Sequence, residues 1–393
     1  MARTITAGVD IGTHHVKVVV AEMIRDGARS VPRVIGTGFA ESKGLRHGYI
    51  INSSDAIKSI RSAIDQAEKR SGVKIKKAYV SFGGIGLGSI VSNGTVVISR
   101  ADSEISELDI NKVFEVAESD IPSSYILNRK ILHTIPLQYK IDGKPVLGRP
   151  LGMKGVRLEA KILFITCLEH HLNDMIDAIV ATDIDVADVM ASPIAASFVT
   201  LTKTQKIAGS VLANIGAETV SIVVFENGIP ISLEVFPIGS TDITNDIALG
   251  LKIPLEEAEQ IKLGGITSTS YPRKKLEEIV SARLSDMFEL IEAHLKKIGK
   301  NSLLPAGIII TGGGSGIGTI EDLAKASLNL PSQIASLHLR DNPKNQIKDG
   351  SWSVAYGLCI LGFHSEDEKT IGIRHLARGA RRSALTWIRQ FLP

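Results

Sequence analysis

The sequence predicts an α/β protein of two duplicated lobes around a cleft, with a small α+β module inserted in the first lobe and an amphipathic helix at the C-terminus. Three observations predict it. Near the N-terminus, VDIGTHHVKVVVAE (Val9 to Glu22) aligns without a gap with the later ANIGAETVSIVVFE (Ala213 to Glu226). Late in the chain, PAGIIITGGGSGIGTIEDLAKAS (Pro305 to Ser327) reads as a buried strand, a glycine triplet and a helix. The last twenty residues, finally, differ in charge from everything before them.

The bulk numbers suit this reading. A chain of 393 residues with 44% hydrophobic content can bury two cores. Its net charge of +3 is too small to imply nucleic-acid binding. Cys167 and Cys359 lie in apolar runs and read as core residues in a reducing compartment. No signal peptide is visible and no run of about 18 apolar residues occurs, so a cytoplasmic body is expected.

The first repeat carries Ile11, Gly12, Val16, Val19 and Val20, which meet Ile215, Gly216, Val220, Val223 and Val224 of the second. Each copy reads as a strand, a glycine turn and a valine-rich strand, which is a β-hairpin. Glycine at a hairpin tip lets backbone N–H groups come close to an anion. One such tip is weak evidence, but two in separate halves suggest lobes closing on one phosphate chain.

Other phosphate motifs do not compete. No G-x-x-x-x-G-K-[ST] loop is present, and SFGGIGLGS (Ser81 to Ser89) runs into a strand rather than the helix a dinucleotide fingerprint needs. Between the hairpins, SELDINKVFEVAES predicts a helix with a Ser106-x-x-Asp109 cap and Leu108, Val113 and Val116 on one face. The strands GTVVISR, RKILHTIPLQYKI and VRLEAKILFI surround it, giving a module of about 85 residues. His14-His15 and His170-His171 suggest metal ligation only superficially: neighbours in a strand face opposite ways, and no cysteine or histidine cluster accompanies them.

In EEAEQIKLGG, Glu259 and Lys262 are three apart on a helical face. The helix RKKLEEIVSARLSDMFELIEAHLKKIG offers Leu276, Ile279, Leu284, Met287 and Ile291 for burial and leaves Arg283 free for a partner. From Arg374 to Pro393 there are five arginines and no acidic residue. At 100° per residue Ala384, Leu385, Trp387, Ile388, Phe391 and Leu392 share one face, flanked by Arg382 and Arg389. That is the pattern of a helix lying in a membrane interface, drawn to anionic lipid.

These residues resemble the actin-like ATPases, a superfamily of ribonuclease H-like lobes around a nucleotide cleft that includes actin, heat-shock chaperones and sugar kinases. Asp10, Gly12, Thr13, His14 and Lys17 fall on its first phosphate motif, and Asn214, Gly216 and Thr219 on the second. Gly312, Gly313 and Gly314 match the adenosine motif, and Glu259 and Lys262 the helix beside it. ASPIAASFV and WSVAYGLCILG look like the two connecting helices, with Ala195, Ala196, Ala355 and Gly357 small enough to let them cross closely. Within the superfamily, GMKGVRLE and the inserted module resemble the FtsA family of bacterial cell-division proteins.

The resemblance implies ATP and Mg2+ as ligands, with Asp10 holding the metal through water. It implies self-assembly into filaments, a partner in the C-terminal tail of FtsZ docking on about residues 240–304, contact with anionic membrane lipid and other division proteins, and a place on the cytoplasmic face of the membrane at the division site. Membrane contact would fall to Leu385, Trp387, Ile388, Arg389, Phe391 and Leu392. The expected division is 1–81 with 168–201 as the first lobe core, 82–167 as the insert, 202–239 with 305–365 as the second lobe core, 240–304 as its outer subdomain, 366–382 as linker and 383–393 as membrane helix. A pilus-assembly adaptor or a sugar or metabolite kinase of the same fold are the alternatives.

Two departures bear on chemistry. The superfamily has aspartate where Asn214 stands and glycine where Glu218 stands. Asparagine can bond a metal's water but adds no charge to organise the ion, so weak or absent ATP turnover is expected. Glu218 would turn outward or reach the metal indirectly.

Overall fold

The computed structural model describes residues 4–26, 29–265, 271–337, 347 and 349–370. The tail from 371 onward, with the expected membrane helix, lies outside the described residues.

Valine-rich alternation builds the first sheet: Ile5–Ile11, His15–Asp26 and Arg29–Glu41 form an antiparallel meander. Lys77–Phe82 and Asp185–Ala191 extend it in parallel beyond Ile5–Ile11. The second sheet repeats this. Ser210–Ile215, Val220–Glu226 and Ile229–Phe236 form the meander, and Ile308–Thr311 and Ser332–Ile334 extend it in parallel beyond Ser210–Ile215. Both sheets therefore have the same strand order and directions, and the repeated hairpins sit at equivalent places in duplicated lobes.

Two helices join the lobes. Ser192–Thr200 packs against Ser353–Thr370, with Gly357 against Ala195 and Ala196 at the crossing and Ala355 against Gly8 of the first strand. A Cβ on Gly357 would stand 1.8 Å from the Ala195 carbonyl oxygen, and one on Gly8 would stand 2.2 Å from that of Ala355. The second helix runs to Thr370, five residues into the stretch expected as linker. Cys167 and Cys359 are both buried free thiols, and burial pushes each up to about 12, so neither is nucleophilic at neutral pH.

The insert is a four-stranded antiparallel sheet in the order Gly88–Val97, Arg157–Leu168, Arg129–Ile141, Lys144–Val146, with the helix Glu107–Ser119 against it. The cap is as expected: Ser106 and Asp109 bond each other's backbone N–H groups. The buried face is as expected only at Val113. It is Ile110, Val113 and Ala117, while Leu108 is 78% exposed and Val116 37%. Ile110, Val113 and Ala117 follow the i, i+3, i+7 spacing of one helix face, and Leu108 lies off that stripe.

Three histidines held neutral make the fold acid-sensitive. His133 is 2% exposed, accepts the Ala191 N–H on Nε2 at 3.1 Å, and is pushed by burial down to about 3. Burial, with Lys297, holds His294 at about 4; burial, with His14 and Lys17, holds His15 at about 4. Each stays neutral in the fold but takes a proton near 6.5 when unfolded, so the unfolded chain binds more protons below that pH. Stability is then fully present above about 6.5 and is lost progressively as the pH falls toward the folded values, with the fully buried His133 carrying most of the effect and the more exposed His15 and His294 less. Asp10 and Glu234, raised chiefly by burial, act in the opposite direction. Urea midpoints taken from about pH 7.5 to 4.5 should drop steeply, and His133→Gln should flatten the slope; a flat wild-type profile would refute this assignment.

Candidate functional site

The first hairpin tip turns tightly because the Gly12 N–H donates to the His15 carbonyl at 3.2 Å. Ser42 braces it, with Oγ donating to the Gly12 carbonyl at 2.5 Å and N–H to that of His14 at 2.9 Å. Asp10 and Lys17 face each other in the hairpin register. Asp10 accepts from Ser81 Oγ at 2.7 Å; burial raises its carboxyl pKa against the pull of Lys17 and Ser81. Lys17, lowered by burial, donates to the Ser351 carbonyl at 2.9 Å and feels Asp10 and Asp349. A half-buried carboxylate beside an ammonium is a workable seat for a hydrated cation and an anion together.

The second tip repeats the first: the Gly216 N–H donates to the Thr219 carbonyl at 2.8 Å. The start of the helix Ser240–Leu251 holds it, with Ser240 N–H donating to the Gly216 carbonyl at 2.9 Å and Thr241 N–H to that of Ala217 at 2.8 Å. Among the described residues, the N–H groups of Thr13, His14, Ala217 and Glu218 donate to no backbone carbonyl. They are the donors a phosphate chain would need.

Asn214 pairs with Ser221 and Thr311 in the second sheet. Its Oδ1 would be 2.4 Å from a Cβ on Gly312, whose φ is +93°. Only glycine meets both demands there. Gly314 presses on Ile215 and Ser240, whereas Gly313 has no atom within 4 Å of its would-be Cβ. Of the triplet, only Gly313 opens onto free space.

The helix Leu255–Lys262 brings the third element. Lys262 Nζ lies 2.7 Å from Glu259 Oε2 and also donates to the Ser240 carbonyl at 3.1 Å and Thr244 Oγ1 at 2.9 Å. Thr244 Oγ1 donates to Glu259 at 2.5 Å. Burial pushes the Glu259 pKa up, but the bonds from Lys262 and Thr244, with the charge of His14, hold it below the usual range. Ser42, Ser81, Thr244 and Ser351 are invisible as site residues in the sequence; single serines and threonines carry no spacing signal.

Three expectations need correction. Glu218 does not turn outward: Oε2 accepts the His47 N–H of the first lobe at 2.5 Å. Arg283 is not free, since it pairs with Asp246 at 2.7 Å and Asp286 at 3.3 Å; an acidic neighbour one helix away claims it. The histidine pairs do not face opposite ways. His14 and His15 rings meet edge-on at 4.3 Å because His14 lies in a turn. His170 and His171 begin a helix and both approach Asp174. Among the described residues, no cluster of three metal-ligating side chains occurs and no helix is long and apolar enough to cross a membrane.

Comparisons with known proteins agree with this architecture. A family model described as "Cell division protein FtsA" matches residues 211–357, and one described as "SHS2 domain inserted in FTSA" matches 84–166. The chain is 31% identical over 383 residues to the cell division protein FtsA of Pseudomonas aeruginosa, covering 92% of this chain and 90% of that one. It is 31% identical over 349 residues to that of Bacillus subtilis, covering 83% and 77%. Among solved structures it resembles a PilM–PilN type IV pilus biogenesis complex, with TM-score 0.66 at 18% identity over 91% of this chain and 98% of that chain. It also resembles MreB5 of Spiroplasma citri bound to ADP, with TM-score 0.52 at 13% identity over 93% and 98%. These two likenesses concern the fold.

Proposed function

Because this chain belongs to the FtsA family of cell-division proteins, we propose that it binds ATP with Mg2+ between its lobes, assembles into filaments and tethers FtsZ to the cytoplasmic face of the membrane at the division site. The observation that carries the nucleotide reading is the pair of matching glycine tips, one per lobe, each closed by the same i to i+3 backbone bond. Backbone donors at Thr13, His14, Ala217 and Glu218 would take the phosphates. Asp10 would hold the metal through water, and Lys17 would balance charge. Gly313 and the Glu259–Lys262 pair would border the adenosine. ATP would chiefly bridge the two lobes, with weak or absent turnover, since Asn214 leaves the metal with one carboxylate fewer.

The tether rests on two segments of the chain. The outer subdomain, about 240–304, would take the FtsZ tail, and the basic amphipathic residues 383–393 would lie in the membrane interface. Each arginine near anionic lipid contributes about 1 kcal/mol, and ordering the tail opposes insertion, so one helix anchors weakly. A filament presenting many helices gains by avidity. Co-sedimentation tests this. With vesicles containing phosphatidylglycerol, the full chain should pellet FtsZ, and a chain lacking 383–393 should lose at least ~10-fold of vesicle binding while keeping its affinity for ATP. Equal pelleting of the two would refute the tether.

A further inference from the structure

Glu218 sits on the second tip, yet its bonds lie in the other lobe. Its Oε2 accepts the His47 N–H at 2.5 Å, and its carbonyl lies 3.2 Å from His47 Nδ1. One residue thus grips another, 171 positions away, through two separate groups. A carboxylate bonded to a backbone N–H is among the stronger neutral-donor contacts available.

The His47 turn is built to present that N–H. His47 has φ +47° and Gly48 has φ +81°, so the chain reverses left-handed between the short strands Leu45–Arg46 and Tyr49–Ile50. A Cβ on Gly48 would stand 2.4 Å from Gly84 Cα. The His47 carbonyl accepts the Ile85 N–H at 3.2 Å. Ile85 lies where the chain leaves the first lobe for the insert. His47 therefore holds Glu218 by its N–H and the root of the insert by its carbonyl. Ser89 makes a parallel tie to the second lobe, exchanging bonds of 2.8 Å with the Leu233 carbonyl and N–H.

We propose that Glu218 is a positioning residue that clasps the second hairpin tip to the His47 turn, and that closure of the cleft thereby fixes the root of the insert. A carboxylate beside bound phosphates would repel them; directed to the opposite lobe it leaves the tip backbone to meet an anion. Only closed lobes make the clasp, so a ligand that bridges the tips favours the state in which His47 and Ile85 are also held. The nucleotide half of this coupling rests on the ATP reading, while the clasp itself does not.

Hydrogen–deuterium exchange on the full chain tests both. Without nucleotide, Glu218→Ala should exchange about tenfold faster than wild type at 45–50 and 84–88, the loss expected for one charged hydrogen bond. Glu218→Gln should stay near wild type, because its amide oxygen still accepts. The insert strand 157–168 should not change in either. With ATP and Mg2+, wild type should slow at 10–15, 45–50 and 84–88, whereas Glu218→Ala should slow only at 10–15. Unchanged exchange at 45–50 and 84–88 in Glu218→Ala overturns the clasp, and so does a rise that extends to 157–168. An ATP effect absent everywhere in wild type, with the nucleotide-free pattern intact, supports the clasp and removes the ATP reading.

Discussion

Gly357→Ala is expected to destabilise the protein by ~2–4 kcal/mol, although alanine is the better helix former. Propensity alone favours the change by about 1 kcal/mol in a helix interior. The added methyl, however, would lie 1.8 Å from the Ala195 carbonyl oxygen and 2.6 Å from its carbon. That obstacle is backbone in the crossing helix Ser192–Thr200, whose residues are almost all buried, so no side chain can swing aside. The helices must separate, and the apolar cluster around Ala355, Tyr356 and Cys359 opens with them. Gly318→Ala is the control, being exposed with nothing near its would-be Cβ, and should stay within ~0.5 kcal/mol of wild type. Urea midpoints at unchanged slope give both values. A Gly357→Ala midpoint equal to wild type would mean the lobes do not depend on this crossing.

What the sequence disclosed follows from which interactions leave a pattern. The duplication was legible because a hairpin tip needs glycine at one place and β-branched residues after it, so Gly12 and Gly216 mark equivalent positions. The Ser106–Asp109 cap was legible because it is local. Small residues at Ala195 and Gly357 signalled a close crossing only through the resemblance to the two connecting helices of the actin-like fold. Contacts distant in sequence left no such mark. Nothing near Glu218 points to His47, and nothing near Arg283 points to Asp246, because a charged side chain reads alike whether solvated or paired. Lys17 shows both sides. Its pairing with Asp10 follows from hairpin register, but its bond to the Ser351 carbonyl depends on how the second connecting helix arrives.

Asn214→Asp is expected to raise ATP turnover at least ~10-fold with little change in fold. The two side chains have the same shape, and the space around Asn214 is set by backbone: the Ser210–Ile215 strand, its partners Ser221 and Thr311, and the φ +93° turn at Gly312. What changes is charge. A second carboxylate on the opposite lobe from Asp10 would add negative potential to the proposed site of a hydrated magnesium ion and would help polarise its water. The raised pKa of Asp10 limits the gain, since burial already disfavours one charge there and a second raises the cost. The added rate should therefore depend on the metal: phosphate release by Asn214→Asp should rise with Mg2+ and collapse with EDTA, while Asn214→Ala stays at the wild-type level. A wild-type rate in Asn214→Asp at saturating Mg2+ would refute the proposal that Asn214 limits turnover. The nearest structural candidate is then the interlobe bond of Glu218, which occupies the tip that a mobile phosphate loop would have to move.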